Sequence, residues 1–120
     1  MNLPRPLFET QTDLGEGLVW DAITNQLYWV DINTGCYFKA IFPNGPVESF
    51  EIGQRLGVLA LRAKGGIVMA AENGFGFFEE STQTFTLLDN FSAVNHSTIR
   101  FNDGAVGPKG RFFAGTIDIN

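Results

Sequence analysis

Gly17-Leu18-Val19-Trp20-Asp21-Ala22-Ile23-Thr24-Asn25-Gln26-Leu27-Tyr28-Trp29-Val30-Asp31 reads as two short apolar runs around a polar turn. β-branched and aromatic residues crowd both runs, and Thr24-Asn25 supplies the reversal, so the stretch predicts a β-hairpin. The same plan recurs twice. Val58-Leu59-Ala60-Leu61-Arg62 leads through Lys64-Gly65-Gly66 to Ile67-Val68-Met69-Ala70, and Gly104-Ala105-Val106-Gly107 leads through Pro108-Lys109-Gly110 to Arg111-Phe112-Phe113-Ala114-Gly115. Trp20, Leu61 and Val106 occupy equivalent positions, 41 and 45 residues apart. A repeat of that length with a hairpin at its head is the spacing of β-propeller blades.

Two further strand candidates follow each of the first two hairpins. They are Tyr37 to Phe42 and Val47 to Ile52, separated by Pro43-Asn44-Gly45-Pro46, then Gly76 to Glu79 and Thr84 to Leu88, separated by Glu80-Ser81-Thr82-Gln83. Four strands make a blade. The expected organisation is all-β, with blade one over about 14–52, blade two over about 57–90 and the start of blade three over about 99–120, together one partial propeller unit of about two and a half blades. An open stack leaves blade faces and strand edges unpaired, which predicts self-association or a completing chain.

Composition agrees. Fourteen Gly, five Pro and twelve Phe in 120 residues suit turns and pleated strands better than helices. A net charge of −5 with eight scattered basic residues provides no positive stripe, which argues against nucleic acid as a partner. No apolar run has the length of a membrane span, and Met1 to Glu9 lacks the pattern of a secretory leader, so a soluble cytoplasmic protein is the expectation. The single Cys36 excludes an internal disulfide and is expected in or beside a strand.

Three places hold residues with chemical potential. Glu16 stands between Gly15 and Gly17 ahead of a strand, where a carboxylate beside close-approaching backbone suits a hard cation. One carboxylate never makes a metal site, however, and by spacing alone a solvated turn acid is the plainer reading. Arg100 and Asn102 share one side of Ile99-Arg100-Phe101-Asn102-Asp103-Gly104, and a guanidinium beside an amide can bind hydroxyls or an oxyanion. Equally, Asp103-Gly104 can be an ordinary turn and Arg100 a surface partner for an acid. His96, the lone histidine, lies in a polar loop without a second metal-binding or catalytic neighbour and is read as solvated. No nucleophile elbow, phosphate loop, zinc spacing or triad occurs.

Leu14-Gly15-Glu16-Gly17-Leu18-Val19-Trp20-Asp21, Leu27-Tyr28-Trp29-Val30-Asp31-Ile32, Arg100-Phe101-Asn102-Asp103-Gly104 and Pro108-Lys109-Gly110-Arg111-Phe112-Phe113-Ala114-Gly115-Thr116 together resemble the senescence-marker-protein/regucalcin/gluconolactonase family, in order and nearly end to end. The resemblance implies a six-bladed propeller whose axial cavity holds one divalent cation (Ca²⁺, Zn²⁺ or Mg²⁺) and hydrolyses a small sugar lactone or ester. By position it makes Glu16 the first metal ligand and Arg100 and Asn102 the substrate-contacting pair; it leaves the catalytic base unassigned. The family's other protein ligands, an Asn and an Asp, come from later blades, which implies that these residues alone lack the complete site. Gly107 replaces a customary acid, Leu18 a customary Pro, and a further acidic substrate contact falls at Asn120. The competing expectation is a non-catalytic propeller segment that works as an oligomeric interaction or binding module.

Overall fold

A computed structural model describes residues 2–88 and 98–119. The ten strands are β1 (Gly15–Asp21), β2 (Gln26–Asp31), β3 (Cys36–Ile41), β4 (Val47–Glu51), β5 (Leu56–Leu61), β6 (Ile67–Ala71), β7 (Gly74–Glu79), β8 (Thr84–Leu87), β9 (Ile99–Val106) and β10 (Phe112–Asp118). They form two four-stranded antiparallel sheets, β1-β2-β3-β4 and β5-β6-β7-β8, and one hairpin, β9-β10. Each sheet is a meander in chain order, and β5 packs against β1 and β2 on one side and β9 on the other. The first strands therefore gather at the centre, the arrangement of blades in a propeller.

The turns use the residues that the sequence marks for them. Asn25 takes a φ of 60°, a conformation that asparagine tolerates better than most residues, and its side-chain amide donates to Phe42 O at 2.8 Å. Instead of ending in a turn at Asp103-Gly104, the third first-strand runs on through Val106 as one element. Cys36 is half-buried at the start of β3, in contact with the Thr34 hydroxyl at 3.1 Å.

Side-chain alternation places the core between sheets. Tyr28 and Val30 of β2, Tyr37 of β3, Leu56 and Leu59 of β5, Ile67 and Met69 of β6 and Phe78 of β7 are buried in one cluster between the first and second sheets. Tyr37 stacks on Phe50 at 4.8 Å and meets Phe78 edge-on at 5.6 Å. Val58, Ala70 and Phe101, with Phe75 and Phe112 against them, make a second cluster between the second sheet and the hairpin. The middle sheet is covered on both faces, which is why β5 is an unbroken apolar run whereas β1 and β4 alternate with exposed residues.

Polar contacts tie the first two sheets together as well. Tyr37 donates its hydroxyl to Glu80 Oε2 at 2.9 Å, and Lys39 Nζ donates to Glu80 Oε1 at 3.0 Å. Burial, reinforced by the hydrogen bond to Glu80, pushes the Tyr37 phenol far above its ordinary pKa, so it remains a donor. Among the described residues, no helix is long and apolar enough to cross a membrane.

Candidate functional site

Each central strand carries one extra residue relative to its partner. Between the pairs Glu16↔Val30 and Val19↔Tyr28, two residues of β1 face one of β2. Between Leu56↔Ala71 and Val58↔Ala70, Gly57 has no counterpart. Between Phe101↔Thr116 and Gly104↔Ala114, Asn102 and Asp103 face Gly115 alone. Such bulges bend a strand and re-aim its side chains, and here they recur at matching places in three neighbouring strands.

The bulges touch. A Cβ on Gly17 would lie 4.0 Å from Gly57 O and 3.4 Å from a Val30 methyl, and one on Gly57 would lie 2.8 Å from Asn102 O and from Phe101 C. Gly17 also has a φ of 66°, which a side chain would strain. Glycine at 57 thus lets β5 and β9 approach backbone to backbone. Glu16, one residue before Gly17, and Asn102 consequently flank the same part of the central strands.

The start of β1 is held by Asp31, which is 2 % exposed. Its two carboxylate oxygens accept the backbone N–H groups of Asp13 (2.8 Å) and Leu14 (3.0 Å), and Ile32 N donates back to Leu14 O at 3.0 Å. Burial pushes the Asp31 carboxyl up, but the N–H groups of Asp13 and Leu14 together with Thr34 outweigh it and hold the acid below its ordinary value. Glu16 itself is exposed, in a shallow recess of about 350 Å³ that it shares with Thr10, Thr12 and Trp29.

Arg100 and Asn102 come together. Arg100 Nη1 donates to Asn102 Oδ1 at 3.1 Å and to Phe101 O at 3.0 Å. Arg100 is buried, at 9 % exposed, and among the described residues it has no carboxylate within ion-pair distance. Arg100 is therefore not a surface residue. Asp103 turns to its own neighbour, accepting Gly104 N–H at 2.8 Å.

Among the described residues, no three His, Cys, Asp or Glu side chains converge as a metal cluster. Glu16, Thr10 and Thr12 line its recess, and a single carboxylate among them is too little for a cation shell. Sequence reading missed Asp31, Thr12 and Gly57. The signal for Asp31 was available, an acid ending an apolar strand, but not its partner across 17 residues. His96 and Asn120 lie outside the described residues.

The SMP-30/Gluconolactonase/LRE-like region matches residues 14–120. The chain is 37 % identical over 105 residues to a 6-deoxy-6-sulfogluconolactonase of Pseudomonas putida, covering 87 % of this chain and 35 % of that protein. It is 30 % identical over 115 residues to the regucalcin of Danio rerio, covering 95 % of this chain and 38 % of that protein. Its fold is similar to that of a calcium-binding regucalcin from Agrobacterium tumefaciens, with a TM-score of 0.84 at 23 % identity over 93 % of this chain and 38 % of that one. A luciferin-regenerating enzyme gives a TM-score of 0.79 at 22 % identity, over 91 % of this chain and 38 % of that one. The chain spans little more than a third of the length of these relatives.

Proposed function

The chain belongs to the SMP-30/gluconolactonase/LRE-like family, and from that membership we propose that it is the first part of a cytoplasmic hydrolase of small sugar lactones. The observation that carries this reading is the Arg100–Asn102 pair, joined at 3.1 Å on a central strand beside Gly57 and one strand removed from Glu16. A buried guanidinium coupled to an amide offers donors of fixed direction to the hydroxyls of a sugar and to the charge that grows on a lactone carbonyl oxygen. Asn102 accepts that bond through its oxygen, so its amide N–H₂ is not used by it.

Glu16 is this chain's contribution to a divalent-cation site; the described residues do not complete that site. When bound, such a cation (Ca²⁺, Zn²⁺ or Mg²⁺) polarises the lactone carbonyl. Asp31 holds the backbone leading into Glu16, so on cation binding it is mainly the Glu16 side chain that has to order. The test is hydrolysis of glucono-δ-lactone by the complete protein with and without added cation, in the natural sequence and in Glu16→Gln and Asn102→Ala. Cation-dependent turnover lost in both variants supports the reading; turnover indifferent to the cation and to both residues overturns it.

A second reading rests on exposed apolar groups at the open end of the stack, where Val106 (51 %), Phe113 (55 %) and Ile117 (37 %) remain uncovered. These suit an interaction segment that self-associates or takes a completing chain. Light scattering decides it: a discrete oligomer that Phe113→Asp converts to monomer, with no lactone turnover in any state, favours this reading over the first.

A further inference from the structure

Basic residues that are scattered along the sequence are gathered by the fold. β5 and β9 run side by side in the same direction, with Gly57 beside Phe101 and Asn102 and with Val58 beside Gly104, so the turns that follow them lie at one end of the protein. Those turns, residues 62–66 and 107–111, hold Arg62, Lys64, Lys109 and Arg111, four of the eight basic residues, and no acid. Glu79 and Glu80, where β7 turns into β8 at the same end, are engaged elsewhere: Glu79 by Ser81, and Glu80 by Tyr37 and Lys39.

Between the two turns lies a cavity of about 380 Å³, within the size range of small-ligand sites. The second sheet walls it with Leu61, Val68 and Phe77, and the β9-β10 hairpin closes the other side with Val106 and Phe112. It sits at the Val106↔Phe112 end of that hairpin, opposite to Ile99, where the chain enters β9. Among the described residues, Arg62 is the only charged member of the wall. Its guanidinium carbon lies 3.5 Å from the centre of the Phe77 ring, and among the described residues it makes no ion pair and no side-chain hydrogen bond. Stacking on an aromatic face holds a guanidinium through its plane and leaves the planar fork of N–H groups, which matches a carboxylate, at the ring's side.

We propose that this cavity binds a small apolar carboxylate, its hydrocarbon part against Leu61, Val68 and Phe112 and its carboxylate on Arg62. Burial of the hydrocarbon supplies the affinity, and the guanidinium supplies the selection for an anion. The site is separate from that of Glu16 and Asn102, because Leu61 and Val106 each stand four residues beyond Gly57 and Asn102 on their strands. It does not rest on the lactonase reading.

The experiment is calorimetric titration of the complete protein with octanoate, with octan-1-ol as its neutral analogue and with acetate as the anion that lacks the apolar part. A charge-assisted contact predicts one octanoate site that is roughly tenfold or more tighter than octan-1-ol, and no saturation by acetate. Arg62→Gln lowers octanoate to the level of octan-1-ol, Val68→Phe, which fills the cavity, weakens both, and Lys109→Gln, outside the wall, changes neither by more than about twofold. Absence of saturable octanoate binding, equal affinity for octanoate and octan-1-ol, or a loss in Lys109→Gln as large as that in Arg62→Gln overturns the proposal. Should Arg62→Gln fail to fold, the octanoate-to-octanol ratio in the natural sequence and its partial retention in Arg62→Lys, which keeps the charge without the planar fork, still decide. Lactone turnover, present or absent, leaves this result unchanged, so the two readings fail separately.

Discussion

The carboxylate of Asp31, at the end of β2, accepts the backbone N–H of Leu14 at 3.0 Å and so clamps the residues that lead into Glu16. Since its second oxygen takes Asp13 N–H at 2.8 Å, removing the side chain strands two donors at once. Asp31→Ala is therefore expected to cost about 2–3 kcal/mol in a urea melt at neutral pH, and Asp31→Asn, which keeps one acceptor, about half of that.

The same acid predicts a pH dependence. Its carboxyl is held below the ordinary value of 3.8 in the folded chain, so the unfolded state binds the proton more readily. The stability that Asp31 contributes is complete well above 3.8 and is lost as pH falls through its depressed folded value. Urea midpoints measured from pH 6 down to pH 3 should thus fall more steeply for the natural sequence than for Asp31→Asn. Parallel curves would contradict this.

Gly57→Ala tests the close approach of the central strands. The added methyl meets Asn102 O and Phe101 C at 2.8 Å, both backbone atoms that cannot rotate away. An overpacking loss of about 1–3 kcal/mol is expected, with backbone shifts at Phe101 and Asn102 visible in amide spectra. An unperturbed spectrum would mean that β5 and β9 are farther apart than described.

Tyr37 joins two sheets by both its ring and its hydroxyl. Tyr37→Phe keeps the stack on Phe50 and removes only the bond to Glu80, for about 1 kcal/mol. Phe78→Ala opens a cavity between the sheets and should cost about 3–5 kcal/mol. If blades one and two unfold as one cooperative unit, circular dichroism and tyrosine fluorescence will report a single shifted transition for both variants.

Glu16→Gln separates site from scaffold. The side chain is exposed and makes no hydrogen bond to a described residue, so stability should change by less than about 0.5 kcal/mol. Loss of cation-dependent lactone turnover without a change in the urea midpoint would assign Glu16 to chemistry alone.

The apolar runs around Thr24-Asn25, Lys64-Gly65-Gly66 and Pro108-Lys109-Gly110 determined the all-β class, because alternation and turn chemistry are local properties that need no knowledge of what a strand packs against. The repeat of the hairpin likewise made the meander order readable. Within the candidate site, sequence brought Arg100 and Asn102 to one side of one strand, since a period of two is enough for that. It left open whether the arginine meets an acid at the surface, because burial and counter-charge depend on residues far away in the chain. Only the tertiary structure decided that Arg100 is buried against Asn102 Oδ1 and Phe101 O, that Asp31 reaches back to Leu14, and that Gly57 lets two central strands touch. Each of these depends on bulges and on inter-sheet packing, where one extra residue re-aims every side chain beyond it and no local pattern records the change.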